Sequence, residues 1–364
     1  MRSLCAYSPN SSMLYEECSE LPTMSAPLVQ VTRGELVESL HRGHIAVVDC
    51  RGNVLWQAGD PMYVTYFRSS AKPFQVLPII ESGAVDRFGI TERELAVMAA
   101  SHHGEDCHVE AVMSILGKIG LDESCLKCGV HKPTNPTQAA RLAREGIPVT
   151  PVFNNCSGKH AGMLAYATHK GYPIDNYVDK ESLVQIDMWK AVAEICGLLP
   201  EKVVRGVDGC GVVVFGMPIA NMAYAYARLA CPDMLPERLR EPARRVTSAM
   251  VEYPEMIGGT LDFGSNLMKN SKGAVFAKGG AEGLFCVGVP KRGIGIAVKI
   301  EDGGSRGLQT AVMETLRLLD VVPQETFAEP ETSIVAFVRN CRKDVVGEIS
   351  PCFELAEGNS RLSV

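Results

Sequence analysis

Hydrophobic and polar positions alternate near both ends of the chain and recur at helical spacing through its middle. Val29 to Thr32 reads as a short strand. Thr32 and Glu35 have the spacing of a capping box, which predicts a helix with Leu36, Val37 and Leu40 facing inward. Ile45 to Asp49 and Val54 to Ala58 flank Cys50-Arg51-Gly52-Asn53, a hairpin signal. Ala71 to Glu81 has Phe74, Leu77 and Ile80 on one helical face. Thr91 and Glu94 repeat the capping-box pattern before a helix ending near Ala100. Ser157 to His169 and Ser182 to Cys196 read as further helices. Lys202 to Asp208 and Val212 to Phe215 read as strands. Ala274 to Lys278, Gly283 to Val289 and Ile294 to Ile300 form a series of three strands, and Ser305 to Leu319 closes with a helix.

Strands at both ends around a helical middle predict an α/β (α+β) fold assembled from both termini, with helices inserted between. The expected parts are an α/β part over about 27–70 and 255–360 and a more helical part over about 71–254, preceded by a flexible tail at 1–26. The longest apolar stretch, Gly211 to Ala230, is broken by Pro218 and Asn221 and carries Arg228. It reads as a buried strand and a helix, not a membrane span. Residues 1–26 contain no apolar run of signal-peptide length, and Met24 is a candidate alternative start.

Composition narrows the function classes. The 364 residues can bury a core without staples. With 46% hydrophobic and 21% charged residues the chain is not a disordered one. A net charge of −6 argues against nucleic acid as the main partner. The 13 cysteines are odd in number and show no dense framework, which predicts reduced thiols and a cytoplasmic protein. Most should be small buried hydrophobes.

Five short blocks carry candidate chemistry. In Arg68-Ser69-Ser70-Ala71-Lys72-Pro73, Ser69 and Lys72 share one face of a first helical turn. A serine hydroxyl needs a base to take its proton, and a lysine amine becomes one once its pKa falls. Ser101-His102-His103-Gly104-Glu105 supplies a second serine, and Ala277-Lys278-Gly279-Gly280 ends a strand with a lysine. The order Ser-x-x-Lys, Ser, Lys matches that of serine β-lactamases and penicillin-binding proteins. Two departures are His103, where those proteins carry Asn, and Gly279 inside the last motif. In Asn155-Cys156-Ser157-Gly158-Lys159-His160 a cysteine opens a helix, where thiolate is favoured. Asp208-Gly209-Cys210-Gly211 places another cysteine in a turn. Two thiolates and a nitrogen donor could hold zinc, and ligand chemistry alone favours His160 as that donor. Cys125-Leu126-Lys127-Cys128 with His131 lacks a second pair and reads as structural. No glycine-rich phosphate loop is present, so no nucleotide cofactor is expected.

Taken in order from about Val29 to Asp302, these blocks resemble the asparaginase II family, the Rhizobium etli-type or class 3 L-asparaginases. The resemblance implies a fold like that of serine β-lactamases and penicillin-binding proteins, with a mixed sheet. It implies two Ser–Lys tandems, Ser69 with Lys72 and Ser101 with Lys278, and a zinc site of Cys156, Lys159 and Cys210. It further implies a homodimer that hydrolyses L-asparagine through a serine acyl-enzyme. Arg68, Asp208 and His103 are the expected substrate-binding residues, and zinc is expected to orient the substrate. Glutaminase, a β-lactamase-like hydrolase and a zinc-stabilised binding protein are the alternatives.

Overall fold

The computed structural model describes residues Met24–Ser363. The tail expected over 1–26 and the question of the start codon fall almost wholly outside them.

Among the described residues the main sheet has nine strands. In chain order its first members are β1 (Ala26–Arg33), β2 (Leu36–Asp49) and β3 (Val54–Ala58). The strands β4 (Val64–Tyr66), β5 (Val204–Val207) and β6 (Val213–Pro218) form a separate three-stranded sheet. The main sheet continues with β7 (Phe276–Gly280), β8 (Leu284–Val289), β9 (Ile294–Ile300), β10 (Ala336–Arg339), β11 (Val345–Pro351) and β12 (Ala356–Glu357). Its order is β10-β11-β1-β2-β9-β8-β7, with β3 paired to β2 and β12 to β3. N-terminal and C-terminal strands therefore interleave, and most of the helices lie between them in sequence. Within this α/β architecture every pairing among the described residues is antiparallel where a mixed sheet was expected. Tight hairpins join β1 to β2 and β7 through β9, and such connections force antiparallel neighbours.

Every residue of β8 and β9 is buried, so both faces of the sheet centre are covered. The Ile219–Ala230 and Leu308–Leu319 helices pack there. Gly295 in β9 lets the first of these lie against the strand, because a Cβ at that position would overlap the Ala223 carbonyl oxygen. The stretch Gly211 to Ala230 is thus a buried strand and helix. Among the described residues no helix is long and apolar enough to cross a membrane.

The helix expected after Thr32 is a strand. Gly34 adopts φ +57° in a hairpin that pairs Arg33 with Leu36. Thr32 Oγ1 accepts from the Glu348 N–H at 3.0 Å rather than capping a helix. Leu36, Val37 and Leu40 are exposed. Pairing of β1 with β2 and β11 outweighs a local capping pattern that lacks a buried face.

Other local signals hold. Asp49 Oδ1 accepts from the Arg51 and Asn53 N–H groups, both at 2.9 Å, closing the hairpin between β2 and β3. Thr91 and Glu94 form both bonds of the capping box for the Glu92–Met98 helix. In the Lys72–Glu81 helix Phe74, Leu77 and Ile80 are buried, but so is every residue from Lys72 to Ile80. This helix runs through the middle of the helical part, against the Ser157–Lys170, Leu183–Ile195 and Glu237–Glu252 helices.

Candidate active site

Lys72, Ser101 and Lys278 meet where the helical part reaches β7, and Ser69 lies in the turn just before Lys72. Ser69 lies in the 3-10 turn Arg68–Ala71 that feeds the Lys72–Glu81 helix. Ser101 follows the Glu92–Met98 helix and is anchored by its N–H on the Ile257 carbonyl at 2.9 Å. Lys278 sits in β7, and its carbonyl accepts from Ser70 Oγ at 2.9 Å, which fixes the 3-10 turn to the strand. Gly280 allows that approach: a Cβ there would sit 3.1 Å from Ser70 Oγ.

The amines of Lys72 and Lys278 lie 2.9 Å and 2.8 Å from Ser101 Oγ. A hydroxyl has one proton, so it can donate to one amine while accepting from the other. The amine that accepts must be neutral. Burial, then the Lys72 charge, brings Lys278 down to about 7. Burial also holds Lys72 below the ordinary ammonium range. Lys278 is therefore the better acceptor and Lys72 the donor. The expected tandem of Ser101 with Lys278 is joined directly. Lys72 reaches Ser101 and, at 3.4 Å, the Asn155 carbonyl. Ser69 has no side-chain hydrogen bond among the described residues; it faces a cavity instead.

That cavity holds about 210 Å³, and Arg68, Ser69, His131, Asn155, Asp208 and Cys210 are among its walls. It is smaller than the roughly 300–1,000 Å³ of sites for drug-sized ligands, so it suits a small polar molecule. Arg68 takes φ +48°, uncommon for a residue with a Cβ, and its Nε lies 3.0 Å from Asp208 Oδ1. Backbone strain of this kind persists where surrounding contacts fix it. Burial opposes ionisation of Asp208, but the Lys159 charge, the Gly209 N–H and the Arg68 charge outweigh it and hold the carboxyl below its usual range. Arg68 and Asp208 thus offer a guanidinium and a carboxylate side by side. The Ser70 N–H is taken by the Phe67 carbonyl at 3.2 Å and is not a free oxyanion donor.

Cys156, Lys159 and Cys210 also meet. Lys159 Nζ donates to Cys210 Sγ at 3.1 Å, and both groups are buried. The Cys156 thiol donates to Cys210, and with the Lys159 charge this pulls Cys210 to about 4. Donation to Cys210, then burial, pushes Cys156 up to about 12. The pair shares one proton, with the negative charge on Cys210. Burial alone would discharge Lys159, but the charge of Cys210 keeps it protonated. Two sulfurs and one nitrogen make a soft donor set that fits zinc, on condition that Cys156 and Lys159 release protons. His160, favoured on ligand chemistry alone, turns its Nδ1 to the Tyr177 hydroxyl at 2.8 Å. Burial, then the Lys159 charge, lowers His160 to about 3.

His103 is not part of the cavity wall; its Nε2 lies 4.0 Å from Asp262. His131 is in the wall, although its block with Cys125 and Cys128 reads as structural in the sequence. Asn154 explains how it arrives there. Its side-chain amide donates to the carbonyls of Cys128 and Gly129 at 2.9 Å and 3.0 Å, and its Oδ1 accepts from the Cys156 N–H at 2.9 Å. The loop carrying His131 is thereby fixed to the helix carrying Cys156 and Lys159. Glu105, Cys107 and His108 also lie within metal-ligating range of one another. Both His108 nitrogens are engaged, by the Glu105 N–H and the Glu255 carbonyl, so that cluster is structural.

The family described as L-asparaginase II matches residues 29–351. No curated protein sequence matches the chain. Among solved structures, a β-lactamase from Mycobacterium bovis is similar at 18% identity and TM-score 0.42, covering 77% of this chain and 95% of that one. A Bacillus glutaminase is similar at 14% identity and TM-score 0.35, with coverage of 77% and 91%. The protein Mglu in its glutamate form is similar at 17% identity and TM-score 0.34, with coverage of 76% and 61%.

Proposed function

The chain belongs to the L-asparaginase II family, and on that premise we propose that this amidohydrolase converts L-asparagine to L-aspartate and ammonia through an acyl-enzyme on Ser69. Two observations support the reading: Ser69 lines a small cavity together with Arg68 and Asp208, and the neighbouring Ser101 is held between the buried amines of Lys72 and Lys278, a relay that can move protons.

Each residue then has a part. The substrate's α-carboxylate meets Arg68 and its α-ammonium meets Asp208, which separates the guanidinium from the carboxylate. This presents the side-chain amide to Ser69. Ser69 Oγ attacks the amide carbon, and Lys72 takes the hydroxyl proton once Lys278 and Ser101 have drawn a proton from it. Collapse of the tetrahedral species breaks the C–N bond, and the proton returns through the same groups to the departing ammonia. Water then cleaves the serine ester and aspartate leaves. Zinc bound by Cys156, Lys159 and Cys210 would supply a positive charge that orients the substrate carboxylate.

A second reading has Ser101 as the nucleophile. The direct contacts of both lysine amines with its hydroxyl favour it. An ammonia assay with L-asparagine and L-glutamine, run beside intact-mass detection of a covalent β-lactam adduct, tests the substrate class. Ammonia release from asparagine above that from glutamine is expected, with no β-lactam adduct. Faster release from glutamine overturns the substrate assignment, and covalent capture of the β-lactam alone overturns the activity.

A further inference from the structure

Cys50 and Cys231 lie 181 positions apart in sequence but share one place in the fold. Cys50 begins the turn between β2 and β3, and its N–H donates to the Gly293 carbonyl at 3.1 Å. Cys231 ends the Ile219–Ala230 helix, with its N–H on the Ala227 carbonyl at 3.0 Å. Gly293, at φ +62°, leaves the space where the two side chains meet. A Cβ on it would lie 2.6 Å from Cys231 Sγ and 3.8 Å from Cys50 Sγ. The two sulfurs therefore border one shared space, and both residues are half-buried, so small reagents reach them. Neither residue belongs to the cavity described above.

We propose that Cys50 and Cys231 are a redox-modification site: low-molecular-weight disulfides oxidise the pair to a disulfide that ties the sheet to the helix lying on it.

The order of events follows from the surroundings. Burial, then the neighbouring Cys50, pushes Cys231 up to about 12, so Cys231 stays protonated while Cys50 reacts. The Cys50 thiolate attacks one sulfur of the small disulfide, forms a mixed disulfide and releases one small thiolate. That step leaves the Cys231 thiol beside an electrophilic sulfur. The thiolate just released takes the Cys231 proton, and Cys231 attacks Cys50 Sγ. A Cys50–Cys231 bond forms and the second small thiolate leaves. The protein loses two electrons and two protons, and the small disulfide gains them as two thiols. The closed loop is long, so the chain-entropy effect of the bridge on the unfolded state is large.

The test uses the full chain treated with oxidised glutathione, alkylation of remaining thiols and peptide mapping without reductant. The expected product is a peptide pair joined through Cys50 and Cys231 with two hydrogens lost, together with a melting midpoint raised by several degrees. Cys231→Ser should stop at a glutathione adduct on Cys50. The proposal is overturned if both residues remain alkylated after exposed Cys341 has been fully modified, or if either one is joined to a different cysteine. No arm uses turnover, so failure of the asparaginase reading leaves this result standing.

Discussion

The pH dependence of turnover should report Lys278. Its amine is buried beside Lys72 and titrates near 7 instead of its ordinary 10.5. At pH 7 about half of it is neutral, against about one part in three thousand for an ordinary lysine. If the neutral amine takes the proton from Ser101, kcat/KM should rise about tenfold per pH unit below 7 and level off near pH 8. Lys72→Met removes the charge that ranks after burial in lowering Lys278. The residual activity of that variant should have its limb at higher pH. The same shift governs stability. Between pH 7 and 10.5 the unfolded chain binds a proton that folded Lys278 lacks, so this group's contribution to stability rises with pH across that window. At pH 7 its burial costs about 4 kcal/mol, so Lys278→Met should abolish turnover and yet raise the melting temperature. Activities at constant ionic strength and melts at pH 7 check both outcomes. A rate that is flat between pH 6 and 8, or a Lys72→Met limb displaced to lower pH, refutes the argument.

Three further perturbations probe separate parts of the account. Arg68→Ala should raise KM for asparagine more than it lowers kcat, since the guanidinium binds and does not react; steady-state kinetics separates the two. Cys210→Ser should remove zinc from the purified protein, read by elemental analysis, because it deletes the one preformed thiolate of the set. Gly295→Val should destabilise the fold by about 3 kcal/mol or more, because the new side chain would meet the Ala223 backbone directly. Denaturant melts would report it.

Local chemistry was legible in the sequence where a few adjacent residues decide it. The Thr91–Glu94 capping box and the Cys50–Asn53 hairpin need only their own neighbours, and both form. Thr32 and Glu35 carry the same capping pattern, but Gly34 turns the chain and the partner strand comes from residues 345–351, which no local window contains. The blocks around Ser69, Ser101 and Lys278 meet in the fold. Their pairing did not follow from spacing, because Lys72 spans to a serine 29 residues on while Ser69 turns to the cavity. His131 was hidden for a related reason. Its place depends on Asn154, whose side chain fixes a loop more than twenty residues away.

The acyl-enzyme is the centre of the account, and trapping it is the most direct measurement. Rapid acid quench after mixing the protein with L-asparagine, followed by peptide mass mapping, should place an aspartyl ester on Ser69, with no ester formed in Ser69→Ala. An ester on Ser101 instead, or ammonia released by Ser69→Ala at the wild-type rate, would contradict it.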